Sequence, residues 1–344
     1  MSYPRHRTPI DFDQMSETLV DLFGCDRVEE YVSVRKGMLG ENHRVNTAVG
    51  PFFLKRYRER ISTVVHEIKM AETYFFENGL PVIIPIRDRF GREAFWLDEC
   101  WYSLYPFIDG ESPSRAQMTP DLLRSMGAQL AMLHVAGDRF FHRPFQMIRI
   151  GNALKLHMEL TELRYHILKK SSPTPQEQEI IETLNLKEQT SQTLQTIPSS
   201  VHLTYDTLLH GDYQHFNLFA NINRVTHLFD LERTALGPSA YELVRAIFLD
   251  CFEDCWEEKN FQDARLYLEA YREIHPITFE PFLAATHLYL FNMVHNTWLE
   301  ASLVIYDSDT LIGALQNQVK RIQYLLQSGP EEFARRVWNK KIGW

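Results

Sequence analysis

Apolar and polar positions alternate in short runs over the first hundred residues and then shift to helical spacing. Residues 31–35, 43–48 and 52–57 read as strands, and Val49-Gly50-Pro51 reads as the hairpin turn joining the last two. Gly37 and Gly40 mark a turn ahead of that hairpin. Residues 64–78 carry Val64, Ile68, Ala71 and Phe75 on one helical stripe, and Gly79 follows as a stop. A short helix is expected over 16–23, with Ser16 as its N-cap, after a loose lead-in over 1–15. Residues 82–86, 94–97 and 101–105 predict three further strands.

Beyond the Pro106 to Gly110 break, Leu122, Leu123, Met126, Leu130 and Leu133 predict an amphipathic helix over 120–134 capped by Thr119. Helices are also expected over 153–169 and 175–196, and again from Tyr241 onward. The stretch 207–231 differs, with β-prone runs at 208–209, 217–220 and 226–229 separated by polar turns. The expected fold class is α+β. A small β-rich N-terminal lobe would span 1–105, and a larger helical lobe 106–344.

Composition narrows this picture. The chain has 344 residues, 44% of them hydrophobic, enough for a substantial core in two lobes. A net charge of -9 disfavours a nucleic-acid partner, because an acidic surface repels phosphate backbones. Cys25, Cys100, Cys251 and Cys255 form no Cys-x-x-Cys pair, so reduced thiols and a cytoplasmic location are expected. The polar N-terminus and the absence of a run of ~18 apolar residues predict neither a signal segment nor a membrane span.

The chemistry is concentrated in His210-Gly-Asp-Tyr-Gln-His-Phe-Asn217 and Leu228-Phe-Asp-Leu-Glu232. A hairpin would return Asp230 beside Asn217, so that an amide oxygen and a carboxylate face one point. Hard oxygen donors of this kind suit Mg²⁺. Asp212, at the other end of the loop, could accept or orient the proton of an attacking hydroxyl. The order Asp-x-x-x-x-Asn with a later Asp matches a kinase catalytic loop, although Gly211 stands where protein kinases carry Arg. His210 is expected to be structural. Glu232 could orient the loop or meet a second metal or the substrate.

This pattern resembles the aminoglycoside phosphotransferase and choline kinase superfamily, which includes homoserine kinases and spore-coat kinase-like proteins. Ile108-Asp-Gly110, Gly127 to His134, and Leu236-Gly-Pro238 with Tyr241-Glu-Leu-Val resemble its peripheral motifs. The resemblance implies a two-lobed protein kinase-like fold using ATP and Mg²⁺. It implies Asp212 as the catalytic residue, and Asn217 and Asp230 as metal ligands. It also implies Lys55 on the phosphates, Glu67 paired with Lys55, Asn42 in a phosphate-covering turn, and backbone groups between Tyr105 and Phe107 on the adenine. The implied activity is transfer of the γ-phosphoryl group to a hydroxyl of a small molecule. The acidic residues Asp250, Glu253, Asp254, Glu257 and Glu258 would favour an amine-bearing acceptor if they walled its pocket; a solvated helix face is the other reading. The alternative to an enzyme is a catalytically inactive kinase-like structural or spore-coat-type protein.

Overall fold

The computed structural model describes residues 10–34, 42–57, 61–141, 145–169, 172–196, 201–253, 255–305 and 309–339. Residues 37–41 of the turn expected over 37–42, most of the lead-in and Asp254 lie outside the described residues, and Asn42 opens a strand. The chain divides into two compact units that interleave in sequence. One comprises Met1–Leu122, Val135–Gln146 and His210–Ala235; the other comprises Leu123–His134, Met147–Leu209 and Leu236–Trp344. The segment 210–235 therefore joins the strand-rich first unit, whereas the expected lobes were two continuous segments.

In the first unit, α1 (Phe12–Phe23) precedes β1 (Val28–Val34), β2 (Asn42–Thr47), β3 (Gly50–Arg56), α2 (Ser62–Glu77), β4 (Phe95–Leu97) and β5 (Cys100–Pro106). The strands form one antiparallel sheet in the order β1-β2-β3-β5-β4. α1 begins four residues earlier than its sequence signal. Asp11 caps it by accepting from the Asp13 and Gln14 N–H groups at 3.1 Å, while Ser16 Oγ donates back to the Phe12 carbonyl inside the helix. Met15, Leu19 and Leu22 follow at helical spacing and are buried in one cluster with Val45, Leu54, Phe95 and Leu104 of the sheet. Each such side chain contributes about 1.5–3 kcal/mol. α2 buries Val65, Ile68, Ala71 and Phe75, and Gly79 beyond it adopts φ +81°. The run 82–86 forms no strand. It pairs at isolated points, by a parallel bridge from Val82 to Leu228 and by an Ile86 N–H donated to the Leu104 carbonyl at 2.7 Å, and Pro85 between them has no ladder donor.

Helix α3 (Pro120–Gly137) starts under the predicted cap, Thr119 Oγ1 accepting from the Leu122 N–H at 3.1 Å. The second unit is helical: α4 (Ala153–Leu168), α5 (Pro175–Thr193), α6 (Ser239–Cys251), α7 (Glu258–Ile274), α8 (Phe279–Val294), α9 (Trp298–Ile305), α10 (Ile312–Ser328) and α11 (Pro330–Trp338). The short strands β6 (Thr207–Leu209) and β9 (Ala235–Gly237) pair together, as do β7 (Leu218–Ala220) and β8 (Val225–Leu228). Phe248 of α6 stacks on Tyr289 and on Phe333 at centroid distances of 4.7 and 4.2 Å. Lys187 and Glu300, both 0% exposed, form a buried ion pair at 2.5 Å. Lys187 also donates to the Asn296 carbonyl and to Gln318. No described helix is long and apolar enough to cross a membrane.

Candidate active site

The catalytic-loop candidates assemble within the first unit. Strand β7 pairs Leu218 with Leu228, and the Phe229 N–H donates to the Asn217 carbonyl at 3.1 Å. Asn217 therefore lies opposite the residue preceding Asp230. His210, fully buried, joins the two segments. One ring nitrogen, Nδ1, accepts from the Asp212 N–H at 3.3 Å, and Nε2 lies 3.0 Å from the Phe229 carbonyl. An N–H only donates and a carbonyl only accepts, so these partners assign the proton to Nε2. The expectation of a structural histidine matches this geometry.

Gly211 has a geometric reason for replacing arginine. Its φ is +83°, and a Cβ there would stand 1.7 Å from the Arg233 carbonyl oxygen. Only glycine permits the loop to lie so close to the turn after Asp230. The side chain of Asn217 donates through Nδ2 to the Asp212 carbonyl at 2.8 Å, leaving Oδ1 as its remaining ligand atom. Gln214 donates to Asp212 Oδ1 at 3.0 Å and orients that carboxylate, a role the sequence did not signal.

Asp230 sits in the left-handed region at φ 65°. Lys55 reaches it from β3, with Nζ 2.7 Å from Asp230 Oδ1 and 3.0 Å from Glu232 Oε1. Glu232 thus helps fix the lysine. Burial works against the Lys55 charge, but Asp230 and Glu232 override it and hold the ammonium well above the ordinary lysine value. Burial likewise opposes ionisation of Asp230, and Lys55 outweighs it, so that carboxyl lies below its ordinary value.

The expected Glu67–Lys55 pair is not formed. Glu67 accepts instead from the Gln146 N–H at 3.4 Å. Five residues along α2, about 140° around the helix, Glu72 points into the core and binds Lys69. Asn42 pairs in register with Lys55 across β2 and β3, and its buried Oδ1 has no hydrogen-bond partner among the described residues. Tyr105 and Phe107 bracket the end of β5. The Tyr105 side chain is buried, and the Arg44 guanidinium lies 4.6 Å from the Phe107 ring centroid.

The peripheral motifs have packing roles. A Cβ on Gly110 would meet the Phe219 ring at 2.7 Å, and one on Gly237 would meet Ile148 at 2.7 Å. Within the second unit, His134 Nε2 lies 3.0 Å from Glu242 Oε2, so two separately noted motifs bind each other. Three of the acidic residues have structural roles within the second unit. Asp250 is buried, Glu257 caps α7, and Glu258 binds Arg265 at 2.5 Å. Those carboxylates are spent on helix packing and capping.

Among the described residues no group of three or more His, Cys, Asp and Glu side chains could hold a metal. Asn217 and Asp230 nevertheless suit a divalent cation such as Mg²⁺, which takes one or two protein oxygens and fills its remaining positions with water and phosphate.

A sheet-rich unit carrying such a loop defines the kinase-like class. Two solved structures share the fold: a microcompartment-associated aminopropanol kinase (TM-score 0.62, 13% identity, covering 94% of this chain and 100% of that one) and an amicoumacin kinase solved with AMP-PNP and Ca²⁺ (TM-score 0.58, 13% identity, 89% and 94%). A homoserine kinase of Parvibaculum lavamentivorans is 23% identical over 269 residues, 77% of this chain and 78% of that protein. The chain belongs to the phosphotransferase enzyme family, whose profile matches residues 30–277.

Proposed function

We propose that the protein transfers the γ-phosphoryl group of ATP to a hydroxyl of a small, amine-bearing molecule. The observation that carries this reading is the His210 bridge, which ties the Asp212 loop to the Asp230 turn while Lys55 reaches Asp230 from β3. Asp212, steadied by Gln214, would orient the acceptor hydroxyl and take its proton as its oxygen bonds to the γ-phosphorus and the bond from that phosphorus to the departing ADP oxygen breaks. Lys55 would neutralise phosphate charge, and Asn42, opposite it in register, would offer its amide to the same phosphates. Asn217 Oδ1 and the Asp230 carboxylate would hold Mg²⁺, which supplies charge neutralisation at the phosphates when bound. The backbone between Tyr105 and Phe107 would receive the base; Pro106 has no N–H, so donation falls to its neighbours. Catalysis on this plan rests on positioning and electrostatics.

The acceptor class rests on the similar proteins, since Asp250, Glu257 and Glu258 of the acidic run are engaged within the second unit. A homoserine kinase and an aminopropanol kinase both point to an amino alcohol. No observation favours an inactive structural protein. A coupled assay with MgATP and a panel of homoserine, aminopropanol and amine-free alcohols tests the reading. Turnover is expected with an amino alcohol, and Asp212→Asn should lower it by about 10²–10⁴-fold while MgATP binding survives. Undiminished turnover in that variant would remove Asp212 from its role.

A further inference from the structure

Between α2 and the ends of β3 and β5, four polar side chains close on one another. Tyr57, Lys69 and Glu72 are each 2% exposed and Tyr105 is 6% exposed. Lys69 Nζ donates to Glu72 Oε2 at 2.6 Å and to the phenol oxygens of both tyrosines. Tyr105 donates to the Glu72 carboxylate at 3.0 Å, and the two phenol oxygens lie 2.7 Å apart. One proton arrangement satisfies every donor. The three Lys69 N–H groups go to Glu72, Tyr57 and Tyr105; the Tyr105 hydroxyl goes to Glu72; and the Tyr57 hydroxyl goes to Tyr105. Burial raises both phenols above their ordinary values, so both stay protonated in this arrangement.

The cluster touches both strand ends that the nucleotide reading uses. Tyr57, one residue past the end of β3, follows Lys55 by two, and its N–H still donates to the Trp101 carbonyl at 2.9 Å; the Lys55 ammonium lies 5.5 Å from its ring centroid. Lys69 lies 4.8 Å from that same centroid. Tyr105 is the residue before Pro106, where β5 ends. We propose that Tyr57, Lys69, Glu72 and Tyr105 form a positioning cluster for the nucleotide, setting the Lys55 ammonium and the base-contacting end of β5 relative to α2. It takes the anchoring task that the sequence assigned to Glu67. The proposal rests on the nucleotide reading above.

Tyr105→Phe keeps the ring and strands one donor each on Lys69 and Tyr57. MgATP affinity by calorimetry and the KM for MgATP are expected to weaken about 3–10-fold, with kcat and the acceptor KM within about twofold. Tyr74→Phe serves as the control, because it removes a hydrogen bond from the same helix to the Ala136 carbonyl, outside the cluster. It should cost less stability, since it strands no buried donor, and leave MgATP affinity unchanged. If Tyr105→Phe lowers the melting midpoint and leaves MgATP affinity within twofold, the cluster is a core element only and the proposal fails. Should Tyr105→Phe not fold, Tyr57→Phe, which withdraws one donor, carries the same comparison. Wild-type protein that binds no nucleotide would sink the underlying reading itself, and that outcome is visible before any variant is made.

Discussion

Gly211→Ala offers the sharpest test of how the candidate catalytic loop is held, with Gly24→Ala as its reference. Both glycines sit at positive φ, +83° and +62°, so both alanines incur a left-handed backbone penalty of about 1–2 kcal/mol. They differ in surroundings. Gly24, beyond the end of α1, has nothing within 4 Å of an added Cβ, whereas at Gly211 that atom would stand 1.7 Å from the Arg233 carbonyl oxygen. Contacts under 3.0 Å are not tolerated, so the two backbones must part by about 1.3 Å. Overpacking of this kind adds about 1–3 kcal/mol. Urea unfolding should therefore show a loss of about 2–5 kcal/mol for Gly211→Ala against about 1–2 kcal/mol for Gly24→Ala. Because Arg233 follows directly on the Asp230 turn, the parting also displaces Asp230 from Asp212, and a displacement near 1 Å costs about 10²-fold in turnover. Equal losses in stability for the two variants, or full turnover in Gly211→Ala, would refute the close approach.

Lys187→Met should cost about 3–5 kcal/mol, because it leaves the Glu300 carboxylate buried without its cation. The double variant Lys187→Met, Glu300→Leu should recover most of that loss in the same urea experiment, and no recovery would show that charge is not the cause. Asp230→Asn should abolish the metal-dependent part of ATP binding; a calorimetric titration with and without Mg²⁺ that shows an unchanged difference would count against Asp230 as a ligand. Asp88 is buried against its own ionisation, but the Arg92 and Phe90 N–H groups and the Arg92 guanidinium hold its carboxyl below the ordinary value. That stabilisation is complete above the ordinary carboxylate range and is lost as pH falls through the lowered folded value. Stability of Asp88→Asn measured against pH should accordingly fall less steeply in acid than wild type, and parallel curves would exclude Asp88 as a contributor.

Much of this was legible because the signals were local. The β2–β3 hairpin follows from two alternating runs around Gly50, and α3 from its stripe and its Thr119 cap. Asn217 and Asp230 were legible together because they flank one short hairpin, where spacing in sequence fixes proximity, and Asp212 because its loop leads straight into that hairpin. Long-range partners were not. Periodicity places Glu67 and Glu72 on one helix but does not say which turns inward, and the inward one is satisfied by Lys69 and Tyr105 rather than by Lys55. The failure over 82–86 has a different origin, since its two ends bond to different partners, Leu228 and Leu104, and Pro85 interrupts any ladder between them. The acidic run stayed open between a pocket wall and a solvated face because composition does not reveal that Glu257 and Glu258 serve helix α7 itself.

The left-handed turn at Asp230 restricts what could ever stand there. Among residues with side chains, Asn and Asp tolerate that conformation best, and of the two only Asp carries charge. Drift at this position thus has two cheap exits, Asn and Gly, each of which would preserve the chain's path while extinguishing the negative charge that Lys55 faces. A molecule needing nothing but the bend would be served as well by either.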